Sequence, residues 1–256
     1  MKKLRLILLA AGVCCIAAQR LNAATIQAAN NAEIRVAGAS STDDVGNTSG
    51  IRIFDGLTST LFFNVEGSNN FPFEVLAVAD FTLPAEPSAI GIENASLTIY
   101  EDPASFAVPG PIEVYLAGNS DPNLIDATAN PVEGAPSYQS GSNGLAAIDT
   151  AFAPFSTLLG TANFLASGIP GTATVVPLTL EGPELAAALS VVNSGGSLRL
   201  IVTPGNATVA MTAAGQGNND GAPPTLSYTT VVPEPGAFLL VVVGLLCGIV
   251  RLRTRQ

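Results

Sequence analysis

Between Ala32 and Val232 the chain enters about ten short stretches of strand character, and turn residues cut off each one. The stretches are Ala32–Val36, Gly50–Phe54, Ser59–Val65, Phe73–Leu83, Ala95–Tyr100, Ile112–Leu116, Ala173–Leu180, Ser197–Val202, Ala207–Met211 and Thr225–Val232. In Ala95–Tyr100 the apolar Ala95, Leu97 and Ile99 alternate with Ser96, Thr98 and Tyr100, which is the period of a strand buried on one face. Pro103, Pro109-Gly110-Pro111, Asp121-Pro122-Asn123 and Pro204-Gly205-Asn206 interrupt the series. One segment alone reads as helix. Pro183 and Glu184 open it, Leu185, Leu189 and Val192 share a face, and Asn193-Ser194-Gly195-Gly196 stops it. Within Gly134–Gly171, the serines, glycines and Asn143 ahead of Leu145 suggest a loop, and Ile148–Phe164 after them reads as irregular strand or a short helix. With no helix after each strand and no fixed repeat, a βαβ fold, a solenoid and a propeller are all disfavoured. The expected fold is all-β: an antiparallel β-sandwich of jelly-roll type with one short helix.

Charge narrows the chemistry. The 256 residues include no histidine, which excludes a Ser-His-Asp enzyme and a histidine-held metal. From Ala24 to Val232 there is no lysine, and Arg35, Arg52 and Arg199 stand against nineteen acids, a formal charge of −16. Such a body repels a phosphate backbone, so nucleic acid is not an expected partner. It also holds no cysteine, so no disulfide supports its core.

The ends differ from the body. Lys2, Lys3 and Arg5 precede an apolar run from Leu6 to Ala18, and the polar stretch after it ends at Leu21-Asn22-Ala23. This is the layout of a secretory signal peptide over residues 1–23, with cleavage expected between Ala23 and Ala24. Cys14 and Cys15 would leave with it, since Val13 does not suit a lipid-modified cysteine. At the other end, an apolar run over residues 237–250 is followed by Arg251, Arg253 and Arg255. Fourteen helical residues span about 21 Å, short of the ~30 Å hydrocarbon core. The basic residues match a transmembrane helix stopped at a cytoplasmic face, leaving residues 24–232 as the β-sandwich domain.

Val232-Pro233-Glu234-Pro235-Gly236, the apolar run and the arginine tail together resemble the PEP-CTERM sorting signal, here residues 233–256. The resemblance covers about a tenth of the chain. It implies a Gram-negative bacterium and export through the inner membrane, at least transiently anchored. It also implies an exosortase as partner, and association with exopolysaccharide, biofilm or cell-surface matrix. Pro233, Glu234 and Pro235 would then be substrate residues, held extended and short of two backbone donors. A second resemblance lies in the order Thr179-Leu180-Glu181, helix, Ser197–Val202, Gly217-Asn218-Asn219-Asp220-Gly221 and Pro224–Tyr228. It is similar to the closing half of DNRLRE-type jelly-roll modules, which implies a non-catalytic surface module. The tryptophan of that family late in the helix is absent, with Val191 and Val192 in its neighbourhood.

Candidate chemistry is sparse. A glycosidase needs two carboxylates some 5–9.5 Å apart, and Asp43-Asp44, Glu101-Asp102 and Glu181 with Glu184 are the available pairs. All three sit where turn caps and solvated charges are ordinary. Asn119 with Asp121, and Asn218 with Asp220, offer hard oxygens for calcium but lack EF-hand spacing. Without tryptophan, stacking on a sugar would fall to Tyr100, Tyr115, Tyr138 or Tyr228. The sequence therefore leads to an exported structural protein of the cell surface or extracellular matrix, sorted by an exosortase, with no catalytic residue, metal or cofactor. The alternatives are a carbohydrate-binding or adhesive module and a carboxylate-based hydrolase.

Overall fold

Two antiparallel sheets of unequal size enclose the core in the computed structural model, which describes residues 19–37, 51–57, 61–67, 73–125, 152–153, 155–219 and 221–233. The first strand, β1 (Gln19–Gln27), is followed by β2 (Asn30–Ala37), β3 (Ile51–Leu57), β4 (Val65–Glu66), β5 (Phe73–Leu83), β6 (Gly91–Tyr100) and β7 (Gly110–Leu116). A single 3-10 turn, Pro122–Ile125, comes next. Then come β8 (Gly160–Phe164), β9 (Ala173–Leu178), helix α1 (Gly182–Ser194), β10 (Gly196–Pro204), β11 (Ala210–Met211) and β12 (Thr225–Pro233).

The smaller sheet has the order β1-β12-β6-β9. The larger has eight strands, β11-β4-β5-β10-β7-β8, with β2 on the free edge of β5 and β3 beyond it. The β11 segment joins the two sheets at one end, through bridges from Ala210 to Val108 and from Ala213 to Glu101, so the larger sheet closes into a half-barrel. At the opposite edge β8 lies so close to β9 that a Cβ at Gly160 would overlap the Pro177 carbonyl. Between the sheets, Ala77, Ala79, Phe81 and Leu83 of β5 meet Leu97 and Ile99 of β6, and Leu226 and Tyr228 of β12. Each fully buried Leu, Ile or Phe side chain contributes about 1.5–3 kcal/mol.

Helix α1 packs over one mouth of this core. Pro183 stands in its first turn, an Ala-rich run carries it, and Gly195 at φ +71° ends it. Its buried face is Glu184, Ala188 and Val192, whereas the expected face began at Leu185. Leu185 and Leu189 are only half-buried.

Several expectations are corrected. The jelly-roll sandwich flanked by a signal peptide and a transmembrane helix is replaced by a mostly-β domain with a half-barrel sheet and a short, non-membrane helix. Among the described residues no helix is long and apolar enough to cross a membrane. At thirteen residues α1 spans about 20 Å, and its buried face is committed to the core. Residues 237–250, expected to span, lie outside the described residues, as do residues 1–18 and Arg251, Arg253 and Arg255. The last five residues assigned to the signal peptide, 19–23, are strand β1, paired residue by residue with β12. The envelope localisation and inner-membrane anchoring built on those segments are accordingly set aside. One strand went unrecognised, β1, hidden by its apolar neighbour segment, while β8 falls within Ile148–Phe164, read as irregular strand or a short helix, and is strand over Gly160–Phe164. Conversely, of the expected strand Ser59–Val65 the described residues 61–65 contain one bridge and the start of a two-residue strand.

Candidate functional site

The larger sheet is buried on both faces. On its outer face Ala32 and Ile34 of β2, Leu76 and Val78 of β5, and Ile201 of β10 form a second core under Ile125 and Phe152. Asp80 and Arg199 share that face, opposite each other in the β5–β10 register. Arg199 is wholly buried and Asp80 nearly so. The guanidinium Nε donates to Asp80 Oδ1 at 2.7 Å and Nη2 to Oδ2 at 2.8 Å, a bidentate pair. Nη2 also donates to the Asp121 carbonyl at 3.1 Å and Nη1 to the Asn119 carbonyl at 3.5 Å. The Phe152 ring lies 5.5 Å from the guanidinium carbon. Arg199 thereby ties the loop after β7 to the sheet. Sequence reasoning noted Arg199 only as a scarce cation; its place in an otherwise apolar strand was the available signal.

This arrangement accounts for the first calcium candidate. The carbonyls of Asn119 and Asp121 face an arginine, and their side chains close local turns: Asn119 Oδ1 accepts from Asp121 N–H, and Asp121 Oδ1 from Asn123 N–H. Beside them is a cleft of about 240 Å³ between this loop and α1. Ser120, Ser190 and Ser197 bring hydroxyls to it from three different elements, and Phe155, Leu116 and Val191 supply apolar wall. Leu198 and the buried Arg199 form its floor.

The opposite end of the sandwich is polar. Asn31 donates to the Phe62 carbonyl and accepts from Gln216 N–H, Glu33 accepts from Asn64 N–H, and Asn64 accepts from Ala213 N–H. Here side chains supplement the sparse backbone pairing of irregular segments, such as the Phe62–Ala214 bridge. Glu101 is one member of a proposed catalytic pair, and its carboxylate accepts from Ser167 N–H, Ser167 Oγ–H at 2.6 Å and Gly168 N–H. Its neighbour Asp102 accepts instead from Asn218 Nδ2. The two carboxylates thus fasten different loops. Glu184 is buried against the core and Glu181 exposed, while Asp43 and Asp44 lie outside the described residues. Of the second calcium candidate, Asn218 also donates to the Leu61 carbonyl and accepts from Gly221 N–H, and Asp220 lies outside the described residues. Among the described residues no group of three or more His, Cys, Asp or Glu is placed to hold a metal.

The tyrosines do not form a row. Tyr228 is in the main core, Tyr100 faces out from the smaller sheet, and Tyr115 lies on the outer face of the larger one, donating to Glu113 at 2.7 Å. Tyr138 is outside the described residues. Burial raises the Tyr115 pKa well above the ordinary phenol value, and the bond to Glu113 and its charge add to the shift. Burial and the charge of Glu86 raise that of Tyr228.

The outward face of the smaller sheet sets hydroxyls beside the exposed apolar side chains Leu21 and Val175. Burial alternates along β1, β6 and β9, turning Thr25, Ser96, Thr98, Tyr100 and Val175 away from the core. Thr25, Ser227 and Ser96 lie side by side in one cross-strand row, with Thr25 and Ser227 hydrogen-bonded at 3.0 Å. Gln27, Thr225, Thr98 and Val175 form the next row. Among the described residues exposed on these strands, Glu93 and Arg20, both toward one end of the sheet, are the charged ones. Of the expected sorting and cleavage residues, Ala23 and Ala24 lie within β1 opposite Thr229 and Tyr228. Pro233 ends β12 opposite Gln19, while Glu234 and Pro235 are outside the described residues.

No protein-family model matches the chain, and no curated protein sequence matches it.

Proposed function

We propose that the chain is a non-catalytic structural protein that associates with exopolysaccharide, and that its Pro233-Glu234-Pro235 segment is the substrate of an exosortase. The observation that carries the first part is the outward face of the smaller sheet. Rows of Ser and Thr hydroxyls recur there about 4.8 Å apart between strands and about 6.8 Å along them. In a body of formal charge −16 this face is almost without charge. A neutral, hydroxylated polymer can approach it without repulsion and exchange hydrogen bonds with it. Glu101, committed to three donors of one loop, supports a structural use of the buried acids.

Cosedimentation of the full chain with exopolysaccharide purified from the cells that make it tests this reading. Binding is expected to persist in molar salt, because no charge pair carries it. Thr98→Lys and Ser96→Lys, both on the outward face, are expected to lower the bound fraction at least tenfold with the fold unchanged. A chain that stays in the supernatant, or variants that bind equally well, would overturn it. For the sorting step, intact mass of the protein from those cells should show truncation near Pro233–Pro235. A mass retaining the chain to Gln256 would refute the exosortase as partner.

A further inference from the structure

The geometry points to a second, smaller binding site: the cleft between α1 and the loop after β7 takes one neutral sugar residue, such as a side-chain or terminal residue of the polymer. The assignment rests on the polysaccharide reading for the class of ligand and on the cleft alone for its place. At about 240 Å³ the space falls below the ~300 Å³ at which pockets for drug-sized molecules begin, so a single ring is the fitting size. Its wall offers hydroxyls and an aromatic ring, the two features a pyranose uses. Ser120 already donates to the Ser197 carbonyl at 3.1 Å, which leaves its oxygen free to accept. The Ser190 and Ser197 hydroxyls have no hydrogen-bond partner among the described residues, so they can donate as well as accept.

Charge decides against an ionic ligand. The cation in the floor, Arg199, is matched by Asp80 in two short bonds and is closed off from solvent. An anion in the cleft would therefore meet a neutral pair. The same pair makes the floor rigid, because Arg199 binds the carbonyls of Asn119 and Asp121 on the loop that forms one wall. A cleft braced in this way loses little on binding. This site lies on the larger-sheet side, against β7, β10 and α1, apart from the outward face of the smaller sheet.

Saturation-transfer NMR on the full chain, using methyl α-D-glucopyranoside, methyl α-D-mannopyranoside and methyl β-D-galactopyranoside as probes, tests the inference. At least one probe should receive saturation from the wild type. That signal should fall at least tenfold in Ala187→Phe and in Ser190→Phe, and should survive in Thr98→Lys. Ser190 is exposed, so its variant keeps the fold even if the Ala187 variant does not. No signal from any probe, or equal signals in the filled variants, overturns the cleft. The two readings fail separately. Cosedimentation lost only in Thr98→Lys, with no glycoside signal, leaves the face and removes the cleft. Glycoside signals without cosedimentation do the reverse.

Discussion

The two sheets share one inner core but treat their outer faces in opposite ways. The smaller sheet leaves Thr25, Ser96 and Val175 toward solvent, whereas the larger covers Leu76, Val78 and Ile201 with Ile125 and Phe152. A charge on the first surface keeps its water. On the second, Asp80 and Arg199 have lost theirs and hold each other instead. The lesson is energetic. The uncovered face is open to a partner and nearly indifferent to substitution, while the covered face is fixed by a pair that tolerates no half-measures.

Breaking that pair is the largest expected effect. Asp80→Ala leaves a buried, unpaired guanidinium and should cost about 3–5 kcal/mol in urea unfolding. The double variant Asp80→Leu with Arg199→Leu should recover most of that loss, because the desolvation penalty goes with the charges. Single and double variants equally unstable would show that packing, rather than charge, governs the outer face. An intermediate effect is expected at the end of β6, the smaller sheet's own anchor. Glu101→Gln keeps the volume but replaces a lone-pair-only oxygen with an NH2 that faces donors. The loss should be about 1–3 kcal/mol, seen as faster amide exchange at Ser167 and Gly168 while the core amides stay protected.

The smallest effect concerns pH. Tyr115 on the covered face and Tyr228 in the shared core both have raised pKa values. Unfolded tyrosine ionises near 10.0, so below that pH both states hold the proton and the neutral phenol's contribution is intact. Above it the unfolded chain loses protons that the fold retains, and stability should fall as pH rises toward the folded pKa. Tyrosinate absorbance should show both residues ionising late, with Tyr115→Phe flattening the alkaline decline. Ordinary titration of Tyr115 would mean that its face is open to water.

Much of the strand order along the chain was legible because alternation is a local property. Ala95–Tyr100 and Ile112–Leu116 each write one buried face into the sequence, and β6 and β7 bury those residues. The helix was legible from Pro183 and Gly195, although its buried stripe was read one residue late. Phe73–Leu83 and Ser197–Val202 carried more than was taken from them: near-continuous apolar strands are buried on both faces. A lone aspartate and a lone arginine inside them were the trace of a second core. Residues 19–23 misled because the apolar, basic start of the chain set a frame in which strand β1 had no place.

Local chemistry by itself determined that the described body makes short strands and a short helix, and that it is acidic, cysteine-free and without histidine chemistry. Residue types and spacing are enough for that, since each acts within a few positions. Tertiary structure alone decided which faces are covered, that Asp80 meets Arg199 across 119 positions, and that Ser120 joins Ser190 and Ser197 at one cleft. Those outcomes depend on loops arriving from elsewhere in the chain to exclude water, and no local pattern records where a loop will land.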